Sequence, residues 1–312
     1  QCGSGLQAIN NAAQAIMCGL ADIVIAGGTE SMSTAPYYIR GVRFGLQAGN
    51  GIVVDPNTES QPKAQPEEIW GKHLTMGLTA ENLAEMYNIS RQEQDEFALR
   101  SQDLAHAAIK AGKFKDEIVP YEVKSRKGSV IFEVDEHPRK TSLEALAKLP
   151  AVFKEGGTVT AGNSSGRNDA AAVTLVMSRE KADELGLKPK MRIVTQAVAG
   201  VRPDIMGIGP VPSTKKALQL AGLTLDDIDL IELNEAFAAQ ALAVVKELGI
   251  DMDKLNVNGG AIALGHPLGA TCAILTIKLM NEMKRRGSKY GLVTACIGGG
   301  MGITTIFENL QV

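Results

Sequence analysis

The sequence predicts an α/β fold with buried sheets, laid out twice on one plan. Three observations carry this expectation. Short unbroken apolar runs alternate with stretches of helical periodicity, as in proteins whose helices cover their sheets. The succession turn, helix, strand and paired glycines occurs at the start of the chain and again near its end. Glycine supplies 33 of the 312 residues while proline supplies only 12. That glycine share exceeds the roughly 7% of average proteins, and without extra proline it indicates tight turns and close backbone approach rather than disorder.

In chain order, apolar residues at Leu6, Ile9, Ala13, Ile16 and Leu20 have helical spacing after Cys2. Asp22 to Ala26 reads as a short, fully buried strand ending at Gly27-Gly28. Residues 32 to about 157 are more polar and read as an insertion over the core. Within them a capping box, Ser90 with Glu93, opens a helix running through Phe97, Leu104 and Ile109 to Gly112. Ala161 to Asp169 is a small-residue turn, and Ala171 to Met177 is a helix end or a strand. Strands are expected at Arg192 to Val198 and Asp229 to Leu233, with a helix at Thr214 to Ala221 between them. Pro267 reads as the first residue of a helix through Leu268, Leu275, Leu279 and Met283, ending in Lys284-Arg285-Arg286, where cations suit the helix dipole. The strand Gly291 to Cys296 and the cluster Gly298-Gly299-Gly300-Met301-Gly302 complete the second copy. Ordinary α/β wiring yields one such helix–strand pair by chance; two in the same order favour a duplicated architecture.

Thirty-two basic against 35 acidic side chains give a net charge of −3, without the basic stripe of a nucleic-acid surface. No stretch approaches the ~18 apolar residues of a membrane span, so a soluble protein is expected. Cys2, Cys18, Cys272 and Cys296 have no C-x-x-C spacing, which argues against a zinc or thioredoxin-like motif, and four free thiols fit a reducing compartment. The chain enters directly on a turn into a helix, Gln-Cys-Gly-Ser-Gly, without Met or signal peptide, so a preceding segment is expected.

Chemistry-bearing residues sit at element ends. Cys2, at a helix N-terminus among small residues, is expected to be a thiolate of lowered pKa and the first thiol alkylated; the other reading is a structural cysteine. Of the four histidines, only His266 lies in a glycine-rich strand-to-helix turn, where it either activates a thiol or caps a helix. Cys296 ends a buried strand before three glycines whose N–H groups can form an anion nest, without the spacing of a dinucleotide fingerprint. Asn234 follows a strand, placed either at a site or as a helix N-cap.

Cys2-Gly-Ser-Gly-Leu, Gly27-Gly-Thr-Glu-Ser-Met, Asn234-Glu-Ala-Phe-Ala, Asn258-Gly-Gly-Ala-Ile-Ala-Leu-Gly-His266-Pro-Leu-Gly and Cys296-Ile-Gly-Gly-Gly-Met-Gly resemble the thiolase family, in consistent order from residue 1 to 312. The resemblance implies a duplicated five-layer α-β-α-β-α fold. Its first half (1–189) would be incomplete, lacking roughly the family's first quarter and carrying a loop domain inserted at about 32–157; its second half would be 190–312. It implies Cys2 as the acyl carrier, His266 as its activator, Cys296 as the proton shuttle, and Asn234 with His266 as the enolate oxyanion hole. The N–H groups of Cys2 and Gly298 would form the hole at the acyl-cysteine. Ser165 would contact pantetheine and Arg139 the CoA nucleotide, with Met76 and Phe237 also in the substrate-binding set. Thr75 stands where many relatives carry His, and Ala145 where some carry a serine near the adenine.

The implied reaction is reversible condensation of two acetyl-CoA to acetoacetyl-CoA plus CoA through an acyl-cysteine. No resident cofactor or metal is implied, and no nucleic-acid or membrane partner. Longer-chain 3-ketoacyl-CoA degradation is the alternative, and a non-catalytic acyl-CoA binder the third reading. A cytoplasmic homodimer or homotetramer is implied, with Tyr37 to Val54 in the place of a tetramerisation loop.

Overall fold

The computed structural model describes residues 1–126 and 128–311. Helix α1 (Ser4–Met17) buries Leu6, Ile9 and Ala12 and leads to β1 (Ile23–Ser31). The segment that follows β1 begins with a small hairpin, β2 (Tyr38–Ile39) with β3 (Val53–Val54). It continues through the short helices α2 (Pro56–Glu59) and α3 (Glu67–Trp70) to α4 (Met76–Met86) and α5 (Arg91–Lys110). A second hairpin, β4 (Tyr121–Ser125) with β5 (Gly128–Phe132), and α6 (Leu143–Ala147) complete it. The expected capping box is present at the start of α5: Ser90 accepts from the Glu93 N–H while Glu93 accepts from the Ser90 N–H.

The chain then forms β6 (Asp169–Met177), which is a strand and not a helix end, followed by α7 (Arg179–Glu184). After β7 (Met191–Gly200) come α8 (Pro210–Ala221), β8 (Leu230–Leu233), α9 (Ala238–Leu248), α10 (Ala261–Leu264), α11 (Thr271–Arg286), β9 (Tyr290–Ile297) and β10 (Met301–Asn309). Two sheets carry the architecture: β1 pairs antiparallel with β6, and the second sheet has the order β7-β10-β9-β8. In the second sheet only β8 and β9 run parallel.

Helices α1 and α11 lie between the sheets. Leu6 of α1 packs with Leu275, Leu279 and Met283 of α11 and with Leu230, Val293, Ile303 and Phe307 of the second sheet, while Ile9 and Ala12 pack against Ala26 of β1. Helix α8 covers the far face of the second sheet, where Ser213 and Thr214 hydrogen-bond Thr304. A larger core joins that face to α4, α5 and α9. Among the described residues the layers therefore run sheet, helix, sheet, helix, four of the five expected.

Two expectations need correction. Strand β1 is neither short nor fully buried: it runs through both glycines to Ser31, and Ile25 is 74% exposed. Only one face of the β1–β6 pair meets α1 and α11, so alternate side chains, Ile25, Val173 and Leu175 among them, point away from the core. Helix α11 starts at Thr271 rather than Pro267, because residues 268–270 form a turn and Gly269 N–H donates to the Glu30 carboxylate of β1. That tie positions the segment carrying His266.

Candidate active site

Cys2 lies in the turn before α1, where three elements converge. A Cβ on Gly3 would overlap Ile297 of β9, and one on Gly5 would press on the backbone of Gly269 and Ala273, so the start of α1 sits tightly against the end of β9 and the start of α11. The Gly298 backbone N–H donates to the Cys2 thiol, and the Cys272 thiol donates to the Cys2 carbonyl at 3.2 Å. Burial nevertheless raises the Cys2 pKa above the ordinary thiol value, with the Gly298 N–H pulling the other way. This corrects the expectation of a lowered pKa: a favourable helix end does not offset removal of a thiolate from water.

Gly298, Gly299 and Gly300 form the turn between β9 and β10. Gly299 and Gly300 have φ of +93° and +97°, and a Cβ on Gly300 would overlap the Val201 carbonyl, so glycine is required to close this turn, in which the Gly300 N–H donates to the Ile297 carbonyl and the Gly298 N–H is left for Cys2. Cys296 is fully buried two residues earlier, among Met206 and Ala236 with Met76 and Phe237 against them. Burial pushes its pKa well above the ordinary value, and the nearby thiols of Cys2 and Cys272 push it further.

Asn234 sits one residue beyond β8, its N–H on the Thr294 carbonyl at 3.0 Å. It is not a helix cap, because α9 starts only at Ala238 with Phe237 as its N-cap. Its Nδ2 donates to His266 Nε2 at 3.3 Å, and its buried Oδ1 accepts no hydrogen bond among the described residues. On the other side of the ring, His266 Nδ1 lies 2.7 Å from Thr271 Oγ1. The Thr271 hydroxyl already donates its single proton to the Pro267 carbonyl at 2.8 Å, so Nδ1 is the protonated nitrogen and Nε2 presents its lone pair. Burial lowers the His266 pKa to about 4, which keeps the ring neutral. Thr271 and Cys272, adjacent at the start of α11, thus hold the imidazole and the backbone of Cys2 respectively.

The family models described as thiolase N-terminal domain and thiolase C-terminal domain match residues 1–180 and 187–309. The chain belongs to the thiolase family. The acetyl-CoA acetyltransferase of Syntrophomonas wolfei is 54% identical over 319 residues, covering 99% of this chain and 78% of that protein. The crystal structure of the Bacillus anthracis acetyl-CoA acetyltransferase matches with a TM-score of 0.95 at 49% identity, covering 99% of this chain and 77% of that one. The human mitochondrial 3-ketoacyl-CoA thiolase in complex with CoA matches at a TM-score of 0.92 and 48% identity, covering 99% and 76%.

In this thiolase the remaining expected residues are unevenly placed. Ser165 adjoins the site: its N–H donates to the Ala236 carbonyl at 3.0 Å, and Ser164 bridges to Phe237. Phe237 packs edge-on to Phe153, and Met76 opens α4 against Gly298. Arg139 stands apart, exposed, its backbone N–H held by Gln102. Thr75 caps α4 by accepting from the Leu78 N–H, and Ala145 lies within α6. Sequence reasoning missed Thr271, Cys272 and Asn168, whose Oδ1 accepts from the His266 N–H at 3.2 Å. A Thr four residues after Pro267, able to bond back to its carbonyl, was the available signal for the first; the others depend on distant packing.

The four thiols differ in access: Cys18 is exposed, Cys2 half-buried, and Cys272 and Cys296 buried. Iodoacetamide at neutral pH is therefore expected to label Cys18 and Cys2 and spare the other pair, and prior incubation with acetyl-CoA should protect Cys2 alone. Peptide mass mapping checks both outcomes; early labelling of Cys296 would contradict this burial.

Proposed function

We propose that this thiolase is an acetyl-CoA C-acetyltransferase. It joins two acetyl-CoA reversibly into acetoacetyl-CoA and CoA. The observation that carries the proposal is the Gly298 N–H bond to the Cys2 thiol, which sets a nucleophile, a backbone donor and the buried Cys296 around one point. His266 Nε2 takes the Cys2 proton; the thiolate attacks the first acetyl-CoA, and the backbone N–H groups of Cys2 and Gly298 hold the tetrahedral oxyanion. The Cys296 thiol protonates the departing CoA and is left as its thiolate, while the Cys2 proton stays on His266 Nε2. The Cys296 thiolate then removes an α-proton from the second acetyl-CoA, and the Asn234–His266 pair holds the enolate oxygen. The enolate carbon attacks the acyl-cysteine, and collapse of the adduct frees acetoacetyl-CoA and the Cys2 thiolate, which recovers its proton from His266 Nε2.

CoA is substrate and product in this scheme, and its steps use no resident cofactor or metal. Ser165 and Phe237 are proposed to line the pantetheine path, and Arg139 to approach the CoA nucleotide. Unpaired cysteines support a reducing, cytoplasmic setting; no helix among the described residues is long and apolar enough to cross a membrane. Exposed apolar residues between Tyr37 and Val53, including Phe44 and Ile52, support assembly into a homodimer or homotetramer.

The likeness to the human 3-ketoacyl-CoA thiolase favours one second reading, degradation of longer 3-ketoacyl-CoA. Thiolysis rates of acetoacetyl-CoA and 3-ketohexadecanoyl-CoA separate the two: faster turnover of the short substrate supports the proposal, and faster turnover of the long one supports the second reading. Met76 and Phe237 seal the apolar side next to Cys296. Met76→Ala should accordingly raise kcat/KM for 3-ketohexanoyl-CoA relative to acetoacetyl-CoA by about 10-fold, the size of an extra-methylene effect in an apolar pocket. An unchanged ratio would remove Met76 from the acyl pocket.

A further inference from the structure

Glu235, next to Asn234, is fully buried and takes no part in the scheme above. Its carboxylate accepts three hydrogen bonds from three separate segments. Oε2 accepts from Ser101 Oγ of α5 at 2.6 Å and from the Ile262 N–H of α10 at 3.2 Å, and Oε1 accepts from Asn256 Nδ2 at 2.8 Å. Ser101 Oγ in turn accepts from the Gly260 N–H at 3.0 Å. Gly260 lies so close that a Cβ there would overlap the carboxylate.

Asn256 completes the link to the strand. Its Oδ1 accepts from the Leu233 N–H at 2.9 Å, and its Nδ2 also donates to the Leu233 carbonyl at 2.8 Å, so it pairs with the last residue of β8 as a neighbouring strand would. Leu233 directly precedes Asn234, and the α10 segment directly precedes Gly265 and His266. His266 has separate supports in Thr271 and Asn168, whereas Asn234 is tied to the Thr294 carbonyl, to His266 itself and, through its neighbours Leu233 and Glu235, to this network.

We propose that Glu235 is the positioning residue that sets Asn234 against His266, by clamping the end of β8 to the segment that delivers the histidine. The acceptor-only character of a carboxylate is what the site requires, since all three partners present donors. Glutamine, nearly the same shape, would turn an NH2 toward either Asn256 Nδ2 or the Ser101 and Ile262 donors. Rotating the Asn256 amide to relieve the first conflict would break its pairing with Leu233, so the mismatch passes to Asn234 in either case. Burial raises the Glu235 pKa above the ordinary carboxylate value, while its three hydrogen bonds and the Arg100 guanidinium pull the other way.

The inference rests on the acetyltransferase reading, and the test separates the two. In the full chain, deuterium exchange into the acetyl group of acetyl-CoA reports the enolate step, and exchange of labelled CoA into acetyl-CoA reports acyl transfer at Cys2. Wild-type protein lacking both exchanges would overturn the functional reading. If both are present, Glu235→Gln should slow deuterium exchange about 100-fold, the cost of a misplacement near 1 Å, with acyl transfer reduced only a few-fold. Ser101→Ala removes one donor without touching the carboxylate, and should show the same split with a smaller loss. It decides the matter if Glu235→Gln does not fold. Equal loss in both exchanges, or no loss in deuterium exchange, would make Glu235 merely structural.

Discussion

Cys2→Ala is expected to abolish both condensation and thiolysis, whereas Cys296→Ala should leave acyl transfer partly intact while removing α-proton exchange. The contrast follows from their environments. Cys2 is half-buried in the turn before α1, with the Gly298 N–H on its sulfur. Cys272, the nearest alternative, is buried, its thiol is committed to the Cys2 carbonyl, and its pKa is raised beyond the range of a neutral-pH nucleophile. Cys296 lies behind the turn in an apolar cluster, so its loss leaves the nucleophile, the imidazole and the Gly298 N–H in place. Removing a single positioned base costs on the order of 10²–10⁴ in rate. Trapping the acetyl-enzyme alongside deuterium exchange, for both variants, checks the split. Wild-type exchange in Cys296→Ala would route the proton through His266 or a water on Asn234.

The second large effect concerns His266. With its pKa lowered to about 4 by burial, the ring stays neutral at mildly acidic pH, so kcat/KM for acyl transfer should show no protonation step near 6.5. The step attributable to this group is expected close to pH 4. His266→Gln should lower acyl transfer on the order of 10²–10⁴. A wild-type inflection at the ordinary histidine value would mean that the ring is not held dry.

The same group has a stability signature. The folded-state pKa lies below the unfolded one, so the unfolded chain binds a proton first, and the histidine's contribution is present above about pH 6.5 and lost as pH falls toward 4. Between pH 7 and pH 5 the wild type should lose about 2 kcal/mol more than His266→Gln, with other titrating groups cancelling in the difference. Denaturant unfolding of both proteins at the two pH values measures it.

Local patterns determined much of this protein. The capping box of α5, the cationic end of α11 and the apolar runs of β8 and β9 are decided by neighbours within a few residues. Cys2, Asn234, His266 and Cys296 were legible for the same reason, each being a reactive side chain beside a glycine or small-residue turn or at a strand's end. Tertiary structure decided what depends on distant partners and on exclusion of water. The exposed face of β1 arises because α1 and α11 cover one side of it, which an isoleucine-rich run cannot report. The raised pKa of Cys2 reflects burial overcoming a favourable backbone donor that lies 296 positions away. The tautomer of His266 depends on where the Thr271 hydroxyl sends its proton, and the role of Glu235 on α5, Asn256 and α10 meeting at one carboxylate. Helical and strand periods are short-range properties of the chain, whereas solvation and hydrogen-bond direction at a buried site are set by whichever segments close around it.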